Sequence, residues 1–382
     1  MYATFDGHRN GDYEAYVYVT EDNGESWRRI GDGLPDGWSV NVITEHQRAE
    51  KLLFVGNEVG VFVSLDRGER WTRLKGNLPT VAVDDIAIHP RENDLILGTH
   101  GRSAWIMDDI SPLEHLATQT DVMAEAGAVF PMKKSIMWAQ KGDWPFYGAT
   151  YSASNPPRAV RVRYYLAEPI SADSDPGVDG AGEGQIADAP SVSLTITDAT
   201  GEHVRTLDGP GTAGLHEVLW DWRYDAPYDE DESQAGGRRR GGPPQGPVVM
   251  PGAYTVGLSA AGSTTSATVE IEADPRRPMT VADRRVRQDA LMSLHELAGP
   301  LHQATQAVDG LEEQMTAAKD LLEEQASVSE LLTEEAAAIR AEVGAIQTGL
   351  REARGWTSVA TGIQGSSTVP TEDQLWQIDA AW

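Results

Sequence analysis

The sequence predicts a mostly-β chain with an α-helical C-terminal end. Two matching segments carry Asp22 and Asp66, 44 positions apart, and short alternating strands surround both. Strand-like alternation continues to about residue 271, and helical spacing of apolar residues begins after residue 280. A repeat of roughly 40 to 50 residues made of short strands is typical of β-propeller blades. The predicted fold class is therefore partial β-propeller blades, then an immunoglobulin-like β-sandwich, then a helical hairpin.

The repeat occupies residues 1–116. Residues 17–27 (VYVTEDNGESW) align with residues 61–71 (VFVSLDRGERW), and Leu34-Pro35 matches Leu78-Pro79 in the same register. A third copy of the strands covers residues 83–107 and ends in Asp108-Asp109. Three copies do not close a ring, so the open edge of the last sheets is expected to need a partner, either the remaining propeller blades or another chain.

Both matching segments have the Asp-box form Ser/Thr-x-Asp-x-Gly-x-x-Trp. The carboxylate of such a turn can accept backbone N–H groups, and its glycine supplies a positive φ. The tryptophan is expected to fold back between strands as an apolar plug. We therefore predict a structural Asp-box role for Asp22, Gly24, Trp27, Asp66, Gly68 and Trp71.

The best candidates for contact with a ligand lie in the connections between paired strands. Residues 56–60 (GNEVG) match residues 98–102 (GTHGR) of the next copy, which places Glu58, His100 and Arg102 at one end of the sheets. They could face a central channel, or they could simply bond to neighbouring loops. The nine histidines show no ligand spacing, so no metal site is predicted.

Residues 136–275 have the strand spacing of the predicted sandwich, and residues 117–135 form the predicted linker. Two polar insertions, 171–190 and 228–247, are too poor in apolar residues to hold a fixed shape. Trp138, Trp144, Phe146 and Tyr147 form an aromatic cluster that could stack on sugar rings or pack against the blades.

Leucines and other apolar residues three or four apart predict the helical hairpin over residues 280–355, with a turn near residues 327–329. The tail, residues 356–382, contains a capping box, with Thr371 at the N-cap and Gln374 at N3. A short helix is expected to follow it.

Bulk composition excludes several classes of protein. The net charge of -28 disfavours binding to nucleic acid, and the absence of cysteine excludes disulfides and thiolate metal sites. No apolar run is long enough for a membrane span, and no cofactor motif occurs. No set of catalytic residues can be identified. The N-terminus lacks the pattern of a signal peptide, so an exported parent would carry its signal upstream.

Several segments resemble one family. Residues 2–9 (YATFDGHR), 87–91 (AIHPR), 98–102 (GTHGR) and 251–256 (PGAYTV), together with the Asp-boxes, resemble large bacterial BNR/Asp-box repeat proteins. These proteins have a sortilin-like β-propeller and are often labelled glycosyl hydrolases. The resemblance covers most of the chain and implies that it is the C-terminal part of such a protein, secreted or periplasmic.

The resemblance implies two functions. The first is a binding or scaffold module for protein, peptide or carbohydrate ligands. The alternative is part of a glycoside hydrolase whose catalytic acids lie mostly upstream. The arginine triad and nucleophilic tyrosine of sialidases cannot be placed on this sequence, so the hydrolase label carries over to no individual residue.

Overall fold

The computed structural model describes residues 1–140, 155–170, 191–229, 243–260, 262–323, 330–366 and 368–382. Three sequence predictions fall wholly or mostly outside these residues: the cluster members Trp144, Phe146 and Tyr147, the two polar insertions, and the helical turn at 327–329. The described part contains five β-sheets followed by helices. The prediction of a mostly-β chain with a helical C-terminal end is confirmed.

Three antiparallel sheets, which we call the repeat sheets, follow one another over residues 2–107. The first contains β1 (Tyr2–Phe5), β2 (Tyr16–Val19) and β3 (Arg28–Arg29). The second contains β4 (Val40–Glu45), β5 (Leu53–Asn57), β6 (Gly60–Ser64) and β7 (Thr72–Leu74). The third contains β8 (Val83–Ile88), β9 (Leu95–Thr99) and β10 (Ala104–Met107). Both β5 and β6 are buried along their whole length, because apolar clusters form on both sides of the second sheet.

The second and third repeat sheets are copies of one unit. In each, the first strand shifts register near its start, between Val40 and Val42 in β4 and between Val83 and Asp85 in β8. Strand β4 contacts both β1 and β8, so the three sheets are stacked side by side. One apolar cluster fills the space between the first and second sheets, and another fills the space between the second and third. Helix α1 (Ser111–Thr118) closes the second cluster.

The two Asp-box tryptophans differ in their surroundings. Trp71 packs on the cluster between the first and second sheets, and its indole N–H donates to the Ile30 carbonyl at 2.7 Å. Trp27 is 43% exposed. The expectation that both rings plug between strands is correct for Trp71 and wrong for Trp27. The physical reason is that Trp71 rests on the preceding sheet, whereas no described strand lies on the corresponding side of Trp27.

Substituting each of these tryptophans should therefore have unequal effects. Trp71→Phe is expected to lower the free energy of unfolding by about 1–2 kcal/mol, since it leaves a carbonyl without its donor. Trp27→Phe is expected to change it by less than about 0.5 kcal/mol. Urea unfolding of the two variants beside the parent chain measures both values. Equal losses would contradict the packing described for Trp71.

The remaining strands form two sheets that share one core, here called the facing sheets. The smaller has the order β11-β13-β16, from β11 (Gly127–Val129), β13 (Val160–Leu166) and β16 (Gly214–Trp220). The larger has the order β12-β18-β17-β14-β15, from β12 (Ser135–Met137), β14 (Ser191–Asp198), β15 (His203–Pro210), β17 (Gly252–Ala260) and β18 (Ser263–Ala273). Only the β12–β18 pair is parallel among these pairings. Trp220 and Tyr164 are the largest fully buried side chains of their shared core.

One local expectation in this region needs correction. Strand β11 lies inside residues 117–135, which the sequence assigns to a linker, because Gly127–Val129 pairs with β13. Strand β16 ends at Trp220. Trp222 has a φ of 61°, which turns the chain out of the sheet.

The C-terminal helices are α2 (Val281–Glu323), α3 (Glu330–Thr357), α4 (Val359–Gly365) and α5 (Glu372–Ala381). Helices α2 and α3 pack on each other, and Gln347 of α3 donates to Glu312 of α2 at 2.6 Å. Leu291, Leu294 and Ile378 belong to a small core formed by α2, α4 and α5. The predicted capping box is confirmed: Thr371 accepts from the Gln374 amide at 3.2 Å, and the Gln374 side chain accepts from the Thr371 amide at 2.9 Å.

Candidate functional site

The two Asp-box turns share one hydrogen-bond pattern. The Asp22 carboxylate accepts the Ser26 amide at 2.9 Å, and the Asp66 carboxylate accepts the Arg70 amide at 2.9 Å. In each turn the preceding hydroxyl, Thr20 or Ser64, donates to the aspartate and accepts the glycine amide. These bonds satisfy groups within the turn itself.

The electrostatics of the Asp-box carboxylates follow from these contacts. Hydrogen bonds from the Ser26 hydroxyl and amide hold the pKa of Asp22 well below its usual range. Burial raises the pKa of Asp66, but hydrogen bonds from Arg70 and Ser64 outweigh it and leave that pKa lowered. Both aspartates are therefore fixed anions inside their own turns, which suits a structural role and leaves neither available as a general acid.

A cleft of about 360 Å³ opens between the first and second repeat sheets. We call it the Trp38 cleft, and it is lined by His8, Tyr13, Gly37, Trp38, Ser39 and Glu58. The Trp38 and Tyr13 side chains are 45% and 50% exposed. Two large rings thus stand half in solvent beside one concave space, an arrangement that exposes apolar area at an energetic cost.

Three chain segments converge on this cleft. His8 and Tyr13 come from the β1–β2 connection, and Trp38 and Ser39 from the β3–β4 connection. Glu58 lies in the tight β5–β6 turn, where the Asn57 side chain accepts the Val59 amide at 3.0 Å. All three connections meet at one end of the stacked sheets, since neighbouring copies bring equivalent loops to the same end.

The polar side chains of the Trp38 cleft have few hydrogen-bond partners within the protein. The Ser39 hydroxyl is fully buried, and its contact with the Asp6 carboxyl helps to lower the pKa of Asp6. The larger influence on the pKa of Asp6 is the hydrogen bond from the His8 amide, at 2.9 Å. Glu58 is half-buried and forms no ion pair or hydrogen bond within the described part of the chain. A ligand in the cleft would therefore meet the Glu58 carboxylate, which has no partner among the described residues.

The structure separates the three predicted ligand-facing residues. Glu58 lines the Trp38 cleft, whereas His100 and Arg102 lie exposed at the same end of the third sheet. The His100 ring contacts Asp84 at 3.2 Å, and its amide donates to the Ala82 carbonyl. His100 thus bonds to a neighbouring loop, which was the other use considered for these positions.

Five lining residues of the cleft were missed from the sequence: His8, Tyr13, Gly37, Trp38 and Ser39. A signal was present in the repeat itself. Val40 and Val83 open equivalent strands, so Trp38 and Ser39 correspond to Val81 and Ala82 in the next copy. The fold does not require an aromatic residue at a position where the next copy has a small aliphatic one. Such a difference between copies indicates a local function.

Trp138 of the predicted aromatic cluster is 41% exposed and lies beside the guanidinium of Arg276, 4.9 Å from the ring centre. Across the described ranges, no group of three or more His, Asp or Glu side chains is arranged to hold a metal ion. Within those same ranges, no helix is both long and apolar enough to cross a membrane.

No protein-family model matches the chain, and no curated protein matches it. Among solved structures, the extracellular domain of a putative hybrid two component system from B. thetaiotaomicron aligns at 10% identity with a TM-score of 0.21. That alignment covers 68% of this chain and 28% of the other chain. The match is too weak to define a shared fold.

Proposed function

We propose that this chain is a saccharide-binding module in the C-terminal part of an exported BNR/Asp-box protein with a sortilin-like β-propeller. In this proposal the repeat sheets are propeller blades, the facing sheets are an immunoglobulin-like sandwich, and the protein is secreted or periplasmic. The proposal is supported by two Asp-box turns on successive stacked sheets and by the quoted sequence resemblance. Further blades or another chain would cover the side of the first sheet where Trp27 is exposed.

The observation that carries the saccharide assignment is the Trp38 cleft. Its volume, about 360 Å³, falls in the range of roughly 300–1,000 Å³ that small-ligand sites occupy. A sugar ring presents an apolar C–H face and a rim of hydroxyls. Trp38 and Tyr13 offer apolar faces, while the Glu58 carboxylate offers hydrogen-bond acceptors and has no protein partner among the described residues.

Binding is favoured over hydrolysis by the number of acids in the cleft. Glycoside hydrolysis uses two carboxyl groups about 5 Å apart in retaining enzymes or about 6.5–9.5 Å apart in inverting ones. Glu58 is the one carboxylate that lines the Trp38 cleft among the described residues. A single acid can orient a sugar hydroxyl, but it cannot supply both the acid and the base or nucleophile.

The test is a calorimetric titration of the chain with short neutral oligosaccharides of glucose, xylose, mannose and N-acetylglucosamine. For the sugar that binds, Trp38→Ala is expected to weaken affinity about tenfold, equivalent to about 1.4 kcal/mol of lost stacking. Trp27→Ala is the matched control, because Trp27 is exposed to a similar degree but lies outside the cleft. The Trp27→Ala variant should bind the sugar with the same affinity as the parent chain.

Glu58→Ala provides a second, independent readout. Removing a carboxylate that forms no ion pair or hydrogen bond with a described residue should leave thermal stability nearly unchanged, while weakening sugar binding severalfold. Failure of every sugar to bind, or equal losses in Trp38→Ala and Trp27→Ala, would overturn the proposal. Release of reducing sugar that Glu58→Gln abolishes would replace binding with hydrolysis.

A further inference from the structure

A second cleft, of about 400 Å³, lies where the facing sheets meet the C-terminal helices. We call it the arginine cleft because five arginines line it. Arg158 precedes β13, Arg223 follows β16, and Arg277 lies between β18 and α2. Arg284 and Arg287 lie in the first turns of α2. Five cations around one space are unusual in a chain with a net charge of -28 and 31 basic residues.

Few carboxylates neutralise these cations. Arg223 lies 3.6 Å from the Asp221 carboxylate. Asp274 also lines the cleft, but its carboxylate pairs with Arg276 at 2.7 Å and accepts the Ala139 amide at 2.9 Å. The other four arginines of the cleft form no ion pair with an acid of the described residues. They are Arg158, Arg277, Arg284 and Arg287.

The cleft also contains buried donors without acceptors. The Arg287 Nε and the Gln364 Nε2 are inaccessible to solvent and have no hydrogen-bond partner among the described residues. The Arg287 guanidinium reaches the Gln364 carbonyl at 2.8 Å through another nitrogen, so its orientation is fixed. Buried N–H groups without acceptors are rare and costly, and an anionic oxygen is what would satisfy them.

The positive charges of the arginines in this cleft repel one another. Burial lowers the pKa of Arg287, and the charge of Arg284 lowers it further. Burial also lowers the pKa of Arg223; nearby Asp221 opposes this shift, while Arg158 and Arg205 add to it. An anion bound among these arginines would offset their repulsion, which favours its binding electrostatically.

We propose that the arginine cleft binds a small molecule carrying at least two anionic oxygen groups. Guanidinium forks match carboxylate, phosphate and sulfate oxygens alike, so the shared chemistry is that of a compact polyanion. The cleft volume exceeds that of a single inorganic anion. Because its arginines come from both the facing sheets and α2, a bound polyanion ties the two parts of the chain together.

The experiment titrates the full chain with sodium pyrophosphate and, separately, with sodium citrate, each at constant ionic strength set with KCl. At least one of the two compounds should bind. Tighter binding of pyrophosphate would indicate a phosphate ligand, and tighter binding of citrate would indicate a carboxylate ligand. Binding should also raise the melting temperature, since the ligand stabilises only the folded state. KCl alone at the same ionic strength should not reproduce this rise.

Arg284→Gln should weaken the binding of the better probe at least fivefold. Arg285→Gln is the matched control, because it removes the same charge from the next residue, which is exposed and does not line the cleft. Arg277→Gln serves as a second variant in case Arg284→Gln disturbs folding. Equal affinity in the Arg284→Gln and Arg285→Gln variants, or no binding of either probe by the parent chain, overturns the proposal.

Discussion

Arg163→Met is expected to lower the free energy of unfolding by about 3 kcal/mol and to loosen the repeat sheets from the facing sheets. The Arg163 guanidinium reaches the Asp109 carboxylate at 2.8 Å, the Asp109 carbonyl at 2.8 Å and the Glu217 carboxylate at 2.7 Å. Asp109 lies just after the last strand of the third repeat sheet, whereas Arg163 and Glu217 lie in β13 and β16. One side chain therefore joins the two regions.

Burial makes this contact costly to break. The Arg163 and Asp109 side chains are 15% and 14% exposed, so methionine would leave a nearly buried carboxylate without its main partner. Removing one member of a buried ion pair typically costs about 3–5 kcal/mol. The lower end of that range applies here because Lys133 also lies 3.4 Å from Asp109.

Arg161→Met is the matched control for that effect. Arg161 occupies the same face of β13 and pairs with Asp108 and Glu217, but its side chain is 37% exposed. Exposed ion pairs contribute about 0–1 kcal/mol, so a small loss is expected. Urea unfolding gives both free energies, and limited proteolysis of residues 108–130 reports on the junction. Equal destabilisation by the two variants would contradict the role assigned to Arg163.

Local sequence chemistry predicted the parts of this molecule that local contacts determine. The Asp-box turns, the capping box at Thr371 and strands such as β13 and β17 need only neighbouring residues or strict alternation. Strand β15 is hard to recognise from the sequence because its buried positions, Val204, Leu207 and Gly209, do not alternate regularly. Its place in the sheet depends on pairing with β14.

The candidate sites depend on contacts between distant segments, and those were not predictable. Glu58 was singled out by comparing two copies of the repeat, but its companions Trp38 and Tyr13 come from loops that differ in each copy. The arginine cleft joins residues from 158 to 364 along the chain. No spacing rule links such positions, since they meet only where the C-terminal helices lie beside the segments that flank the strands.

Gly56→Ala is expected to destabilise the chain by about 2–3 kcal/mol, and the equivalent Gly98→Ala is expected to change stability little. Gly56 of β5 is buried, and a Cβ there would lie 2.8 Å from the Val83 carbonyl oxygen and 2.8 Å from a methyl carbon of Val42. The carbonyl belongs to β8 of the next sheet, so the backbone itself must move. Forcing backbone shifts in a packed core typically costs about 1–3 kcal/mol.

Gly98 occupies the matching position of β9, opposite Asp85 as Gly56 is opposite Val42. A Cβ there would come no closer than 3.5 Å to any described atom, which is ordinary contact. The two substitutions therefore differ only in whether a neighbouring sheet packs on that strand. Differential scanning calorimetry of both variants compares them directly. A large loss in Gly98→Ala would mean that another surface covers β9 in solution as closely as β8 covers β5.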